Sequence, residues 1–328
     1  MGTTVSVIIP NFNHQSYLEQ RIVTVLNQTY QNFEVILLDD CSSDKSCEII
    51  EKYKSHPKVK HTVLNKINSG STFNQWEKGI ALASGEWIWI AESDDYADKS
   101  LLSTLVENTM KDNSIVLSYC QSFEVNETGQ ILRDMSWWTS DLDCSRWERG
   151  FINDGIDEIN NSLLYKNTIP NASAVLFKKS IFQNIDKEYK SMKLCGDWFV
   201  WVQLLRTGKV AFSSKILNYF RKHSATTRNL NSTFKIKLMI EEELKVLREV
   251  EKNIKDKNKL KLQERRNSLL DSYLLYFTKN DALYFIFNYR SKSQYFPIQD
   301  LLLKYGSKSL NKLKIFFKKL LRPIIYFS

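Results

Sequence analysis

Short apolar runs alternate with amphipathic segments along the first 125 residues of the chain. Four runs have the length and the β-branched or aromatic content typical of strands, at residues 5–9, 34–38, 59–64 and 87–91. The segments between them have helical spacing, as at Ile22, Val25 and Leu26, which follow the capping-box pattern Ser16-Tyr17-Leu18-Glu19. This alternation predicts an α/β fold with a mostly parallel sheet flanked by helices.

The pattern changes after residue 125. A long aromatic loop is predicted from about 134 to 160, a short strand at 173–177, and one or two more strands within 209–220. An amphipathic helix is predicted from Gly196-Asp197 to Thr207. From Ser232 onward the spacing is helical, with Lys and Glu at i,i+4 intervals. We therefore predict a helical C-terminal extension that begins near residues 226–232.

The composition indicates a globular protein that works in a reducing compartment. Hydrophobic residues make up 43% and charged residues 25% of the 328 residues. The five cysteines are odd in number and form no CxxC pair, which disfavours a disulfide framework or a zinc knuckle. The sequence has no signal-like leader and no apolar run of about 18 residues. The expected location is cytoplasmic, with any membrane contact peripheral.

Most of the net charge of +9 lies in the last 25 residues. Residues 304–328 carry seven Lys or Arg and no acidic residue. Within this tail Leu313, Phe317 and Leu320 recur on one helical face, which is typical of an interfacial amphipathic helix on an anionic membrane. The alternative is that this face packs on the helix predicted at 234–263. The charge distribution does not resemble a nucleic-acid-binding surface, so no nucleic-acid partner is expected.

Polar residues follow three of the first four strands. They are Pro10-Asn11-Phe12-Asn13, Asp39-Asp40 and Glu92-Ser93-Asp94-Asp95. Ligands of parallel α/β sheets bind beyond the carboxyl ends of the strands. Two carboxylate clusters at one edge repel each other unless a cation or a donor-rich ligand relieves them. The alternative is that these are solvated loop residues and helix caps.

Taken in order, these motifs resemble the family 2 glycosyltransferases. The resemblance runs from Val5-Ser6-Val7-Ile8-Ile9-Pro10-Asn11-Phe12-Asn13 through Asn27-Gln28-Thr29 and Asp39-Asp40-Cys41-Ser42-Ser43-Asp44 to Gly196-Asp197. It implies a GT-A-type, Rossmann-like fold, with a transferase domain at 1–228 and the helical extension at 229–328. Within the transferase domain, residues 1–125 would be the nucleotide-binding half and residues 126–228 the acceptor half.

The resemblance also implies roles for individual residues. Asp40 would read the nucleotide base, and Asp197 would be the catalytic base of an inverting transfer. The nucleotide-sugar contacts would come from Pro10, Asn11, Phe12, Asp39, Asp40, Asn68, Gly70, Ser93 and Arg221. Asp94, Asp95 and His223 would bind Mg²⁺ or Mn²⁺. The chain departs from the family pattern at Glu92, and at Trp76-Glu77, where a donor to the nucleotide is missing.

These expectations describe a metal-dependent transferase of single sugars. The donor would be UDP- or dTDP-linked, and the acceptor a polysaccharide or a lipid-linked oligosaccharide at the inner face of the cell membrane. Two alternatives stay open. A sugar-nucleotidyltransferase would need a glycine-rich first loop, where this chain has Pro10-Asn11-Phe12-Asn13. A non-catalytic, membrane-peripheral adaptor would explain the departures from the family pattern, but not why Asp40, Asp94 and Asp197 are all present.

Overall fold

The computed structural model describes residues 3–223 and 232–276. Ten strands within these residues form one mixed sheet in the order β3-β2-β1-β4-β9-β6-β10-β5, with β7 beside β6 and β8 beside β10. The strands are β1 (Val5–Asn11), β2 (Phe33–Asp39), β3 (Val59–Leu64), β4 (Trp87–Ile90), β5 (Tyr96–Ala97), β6 (Ile115–Val125), β7 (Ile131–Asp134), β8 (Phe151–Asp154), β9 (Val175–Lys178) and β10 (Lys209–Arg221). The helices are α1 (Gln15–Leu26), α2 (Ser46–Tyr53), α3 (Thr72–Leu82), α4 (Leu101–Thr109), α5 (Gly155–Glu158), α6 (Lys179–Phe182), α7 (Gly196–Leu205), α8 (Thr233–Glu251) and α9 (Lys259–Tyr276).

The first four strands form the parallel half of the sheet, as the sequence predicts. β1 is buried along its whole length and pairs in parallel with β2 on one side and β4 on the other. Burial on both faces explains why β1, β2 and β4 are mostly apolar runs and do not alternate, whereas β3 at the edge of the sheet is more exposed. Their carboxyl ends therefore lie at one edge of the sheet.

The second half of the sheet is mixed. β9 runs antiparallel to both β4 and β6, and the long β10 runs parallel to β6. The aromatic loop predicted at 134–160 contains a strand, because β8 pairs with β10 there. β10 brings Arg221 and the following His223 back to the edge where β4 ends, and the hydrogen bond from the Arg221 amide to Asp95 fixes this return at 2.8 Å.

The start of α1 differs from the capping box predicted at Ser16-Tyr17-Leu18-Glu19. The helix begins at Gln15, and its cap residue His14 makes no side-chain capping bond. Instead, the Asp44 carboxylate accepts a hydrogen bond from the Gln15 amide at 2.9 Å. A carboxylate that is distant in sequence thus binds a donor at the start of the helix, and the predicted Ser16 cap is wrong.

Residues Met1–Leu270 form one compact unit that includes α8. α8 packs on α7 through its apolar face, with Leu244, Leu247 and Val250 buried. The second unit begins at Asp271, and only the last residues of α9 fall within its described part. The boundary predicted at 228 and the basic segment 304–328 lie outside the described residues. No helix in the described part of the chain is long and apolar enough to cross a membrane.

Candidate active site

Asp39 and Asn11 end neighbouring strands and bind each other. The Asp39 carboxylate is 1% exposed and accepts hydrogen bonds from the Asn11 amide at 2.8 Å and from the Ser42 hydroxyl at 2.6 Å. Ser42 also donates its backbone N–H to Asp39 at 2.8 Å. Both predicted nucleotide contacts are thus buried in a network that shapes the loop after β2. In that loop Cys41 adopts a left-handed backbone with a φ of 67°.

Asp40 lies at the centre of a cradle of donors. Its Oδ1 accepts from the side chains of Asn65 at 2.7 Å and Gln75 at 2.8 Å, and from the Ser69 amide at 2.9 Å. Its Oδ2 accepts from the Ser69 hydroxyl at 2.7 Å. Asp40 is 4% exposed, and three of its four donors bind Oδ1. Oδ2 has one donor and therefore keeps a lone pair for a further one.

The loop after β3 wraps around Asp40, which brings the predicted residues Asn68 and Gly70 to this carboxylate. Asn68 donates to the Asp40 carbonyl at 3.0 Å and accepts from the Gly70 amide at 2.6 Å. Gly70 has a φ of +72°, a conformation that residues with a Cβ adopt only at a cost. Pro10 is buried within β1, whereas Phe12 beyond the strand is 44% exposed. Phe12 is therefore accessible to a flat ligand.

A cluster of three possible metal ligands lies at the end of β4. The ligand atoms of His14, Asp94 and His223 all lie within 4.8 Å of one another. His223 Nε2 is 3.0 Å from Asp94 Oδ2, and Nδ1 of His14 is 2.8 Å from the Ser93 hydroxyl. That last contact orients the His14 ring, as the outer hydrogen bonds of metal-binding histidines do. The sequence predicted Asp94 and His223 but not His14.

Electrostatics favour an ionised Asp94 and a neutral His14. Burial acts to raise the pKa of Asp94, but the hydrogen bond from His223 and the charge interaction with His14 outweigh it, so that this pKa is lowered. Burial, with a contribution from His223, lowers the pKa of His14. An ionised carboxylate and a neutral imidazole are the forms that bind a metal ion.

Asp95 is separate from this cluster, although the sequence predicted it as a metal ligand. It is 2% exposed and accepts from the Asn171 side chain at 3.1 Å and from the Arg221 amide at 2.8 Å. The Arg21 guanidinium lies 3.8 Å from it. Burial and the charge of Asp94 raise the pKa of Asp95 to about 6. These contacts make Asp95 a buried link between β4 and β10.

Arg221 is also a buried link. It is 2% exposed, and each of its three guanidinium nitrogens donates to a protein oxygen. The acceptors are the carbonyls of Asp94, Asn126 and Glu127 and the side chain of Gln20. A diphosphate would have to displace these acceptors, so we assign Arg221 to bracing the end of β4 and not to the diphosphate contact predicted from the sequence.

Trp76 contacts Glu92, and the chain departs from the family pattern at both positions. The Trp76 indole N–H donates to Glu92 at 2.9 Å, and the Thr72 hydroxyl donates to the same carboxyl at 3.3 Å. Burial and the neighbouring Asp94 raise the pKa of Glu92 to about 8. Glu92 is therefore mostly protonated at neutral pH, and Trp76 anchors it to α3.

Asp197 lies in the first turn of α7. Its Oδ2 accepts from the Asn167 side chain at 3.1 Å, and its Oδ1 accepts from the Trp198 amide at 2.8 Å. The preceding Gly196 has no room for a side chain, since a Cβ would lie 2.5 Å from the Phe73 ring. The start of α7 is therefore closely packed against α3.

A cavity of about 840 Å³ opens beside these residues. Its wall includes His223 of the metal-ligand cluster and Asn167, the partner of Asp197. Aromatic side chains supply much of the rest, namely Trp137, Trp138, Tyr165, Trp198 and Phe220. Its charged wall residues form pairs, Lys166 with Asp141, Lys222 with Glu124, and Arg265 with Glu243.

Two relatives with assigned names match different lengths of the chain. Glycosyltransferase GlyG of Streptococcus pneumoniae is 33% identical over 39% of this chain and 42% of its own length. The GalNAc(5)-diNAcBac-PP-undecaprenol beta-1,3-glucosyltransferase of Campylobacter jejuni is 25% identical over 77% of both chains. The chain thus spans less than half of GlyG, and about three quarters of the second relative.

Solved structures share the fold at low sequence identity. S. aureus TarS 1-349 in complex with UDP-GlcNAc superposes with a TM-score of 0.57 and 17% identity over 84% of this chain and 82% of its own. The mannosyltransferase PcManGT of Pyrobaculum calidifontis, in complex with GDP-Man and Mn²⁺, gives a TM-score of 0.58 and 12% identity over 94% and 81%. These neighbours confirm the predicted GT-A-type fold. The family model for glycosyl transferase family 2 matches residues 6–185, more than half of the chain, and the protein belongs to this family of glycosyltransferases.

Proposed function

We propose that the protein transfers a single sugar, with inversion, from a UDP- or dTDP-linked donor to a lipid-linked or polysaccharide acceptor. The observation that supports the proposal is the position of two groups of polar side chains at one edge of the sheet. Asp40 and the cluster of His14, Asp94 and His223 follow strands that end at the same edge of the sheet. Further support is that Asp197 binds Asn167, a residue of the cavity wall.

The donor assignment rests on Asp40. The remaining lone pair of Oδ2 can accept the imide N–H of uracil or thymine, while the exposed Phe12 ring can stack on the base. The TarS complex with UDP-GlcNAc and the glucosyltransferase name of the Campylobacter relative are consistent with such a donor.

His14, Asp94 and His223 would hold a divalent cation. Two imidazoles and one carboxylate suit Mn²⁺ better than Mg²⁺, because Mg²⁺ prefers oxygen ligands. The PcManGT complex contains Mn²⁺. When bound, the cation neutralises the negative charge that develops on the leaving diphosphate.

Asp197 would act as the general base. A carboxylate that removes the proton of the attacking hydroxyl allows direct displacement at the anomeric carbon, which inverts its configuration. Asn167 donates to Oδ2 of Asp197 and the Trp198 amide donates to Oδ1, so both bonds fix the orientation of the carboxylate. The cavity would hold the acceptor. Its aromatic rings suit the apolar faces of sugars, and its paired charges favour a neutral saccharide.

The test is nucleoside diphosphate release from a panel of UDP-, dTDP- and GDP-sugars, with Mn²⁺ and with excess EDTA. We expect turnover with a UDP- or dTDP-sugar that EDTA abolishes. Asp197→Asn should lower kcat by about 10²-fold and leave donor affinity nearly unchanged. Preferred turnover of a GDP-sugar, or full activity in EDTA, would contradict the donor or the metal assignment. Conversion of a nucleotide sugar and pyrophosphate into a nucleoside triphosphate and a sugar phosphate would indicate a nucleotidyltransferase. Binding of the nucleotide sugar without any turnover would indicate an adaptor.

We also propose that the basic segment 304–328 holds the enzyme at an anionic membrane on the cytoplasmic side. The support is its charge of +7 and the apolar spacing that includes Leu313 and Phe317. Each Lys or Arg near such a surface contributes about 1 kcal/mol. Sedimentation with vesicles of increasing anionic lipid should show salt-sensitive binding that truncation after Gly306 removes. Equal binding of both proteins would contradict this part of the proposal.

A further inference from the structure

Glu242 is a buried carboxylate of α8 that accepts hydrogen bonds from three main-chain amides within the described part of the chain. It is 1% exposed. Its Oε1 accepts from the Lys193 amide at 2.7 Å, and its Oε2 accepts from the amides of Leu194 and Cys195, each at 2.8 Å. α8 follows the segment that matches the family model, so this contact comes from outside that segment.

The three amides belong to the turn that leads into α7. Cys195 is the cap residue of α7, and its own side chain makes no capping bond. A helix start leaves several N–H groups without partners inside the helix, and a carboxylate there also interacts favourably with the helix dipole. Glu242 on α8 therefore supplies the acceptor that the Cys195 side chain does not provide. The capped residue Cys195 lies two residues before Asp197.

Two further contacts hold the same part of the chain. The Lys193 ammonium donates to the carbonyl of Gly70, in the loop that surrounds Asp40. Gly196 packs directly on the Phe73 ring, with no space for a Cβ. The turn and the start of α7 are thus bound by α8, by α3 and by the loop before α3.

We propose that Glu242 is a positioning residue that sets the orientation of Asp197 by holding residues 193–195. The catalytic part of this inference rests on the proposed function, in which Asp197 is the general base. It follows that α8 is part of the active-site support. A displacement of about 1 Å in a reacting group is enough to cost about 10²-fold in rate.

Glu242→Gln changes this contact with almost no change of volume. Three N–H groups point at two carboxylate oxygens, whereas an amide offers one oxygen and one NH₂ group. At least one buried N–H must then face another donor. The matched control is Glu249→Gln on the same helix. Glu249 is 3% exposed, but it accepts from the side chains of Arg206, at the end of α7, and of Lys252.

The test combines amide hydrogen exchange with kinetics. In Glu242→Gln we expect faster exchange at residues 193–198, a kcat about 10- to 100-fold lower, and a UDP Kd within about threefold of wild type. Glu249→Gln should leave both the exchange of 193–198 and kcat unchanged, even if its Tm falls by as much as that of Glu242→Gln. A merely structural role would lower Tm in both variants without this split between kcat and Kd.

Unchanged exchange at 193–198 in Glu242→Gln, or an equal loss of kcat in both variants, would overturn the inference. If the wild-type enzyme turns over no nucleotide sugar, the proposed function fails, while the exchange data still decide whether Glu242 holds the turn. If Glu242→Gln does not fold, Glu242→Asp keeps the charge on a shorter side chain. That variant should show a smaller increase in exchange at 193–198 and a smaller loss of kcat. Exchange equal to that of the wild type would also overturn the inference.

Discussion

Asp40→Asn separates base recognition from the structure of the loop around it. The Oδ1 position has three donors from Asn65, Ser69 and Gln75, and the carbonyl of the new amide can accept all of them. The Ser69 hydroxyl now donates to Oδ2, but it can rotate and accept from the new NH₂ group. We therefore expect a folded protein whose free energy of unfolding falls by about 1 kcal/mol, equivalent to about 2–4 °C in Tm.

Nucleotide binding should fall much more. In the wild type, the remaining lone pair of Asp40 Oδ2 would accept the imide N–H of the base, whereas the variant presents an N–H donor there. A hydrogen bond to a charged group is worth about 1.5–3 kcal/mol. At 1.4 kcal/mol per factor of ten, the Kd for UDP should rise about 10- to 150-fold.

Titration calorimetry with UDP provides the assay, and Asp39→Asn is the matched comparison. Asp39 is bound by Asn11 and Ser42, and within the described residues the buried Oδ1 of Asn11 has no hydrogen-bond partner. The Asn11 amide can therefore flip and accept from the new NH₂ group. We expect the Kd for UDP in Asp39→Asn to stay within about threefold of wild type. A folded Asp40→Asn protein with wild-type UDP affinity would refute the assignment of Asp40 to the base.

Three further outcomes follow from single sites. His14→Gln should weaken Mn²⁺ binding by more than about 10-fold in calorimetry, and unchanged affinity would remove His14 from the ligand set. Gly196→Ala should destabilise the protein by about 1–3 kcal/mol in thermal unfolding, because the Cβ meets the Phe73 ring; a Tm equal to that of wild type would contradict this packing. Burial raises the pKa of Cys120 to about 12, so at pH 8 about one thiol in 10⁴ is ionised there, and iodoacetamide should modify the exposed Cys144 first; mass spectrometry showing equal rates would contradict this order.

The sequence predicted the parts of the site that depend on strand ends. Asp40 and Asp94 follow apolar runs whose alternation with helices already requires parallel strands, and parallel strands end at one edge. The loop of Asn68 and Gly70 was predicted by family resemblance, and the structure brings it to Asp40. These features depend on short stretches of sequence and on the rule that parallel strands end at one edge of the sheet.

The features that the sequence did not predict depend on contacts between distant segments. His14 joins the cluster because β10 returns His223 to the end of β4, and no local pattern indicates this return. The sequence feature that could have identified His14 is its position directly after the polar residues that follow β1. The sequence has Trp76 where the family usually has a donor to the nucleotide, but it did not predict the bond of this indole to Glu92. Glu242 could not be assigned without knowing that α8 docks on the turn before α7.

The return of β10 has a consequence for the order in which the protein assembles. Arg221 binds Asp95 across 126 residues of chain, and His223 binds Asp94 across 129. Contacts this far apart in sequence form slowly, because a long loop must close before they contribute any free energy. During synthesis the acidic end of β4 therefore emerges well before Arg221 and His223, which bind it from the end of β10. The parallel half of the sheet can form first, and completion of the metal-ligand cluster marks the arrival of the last strand.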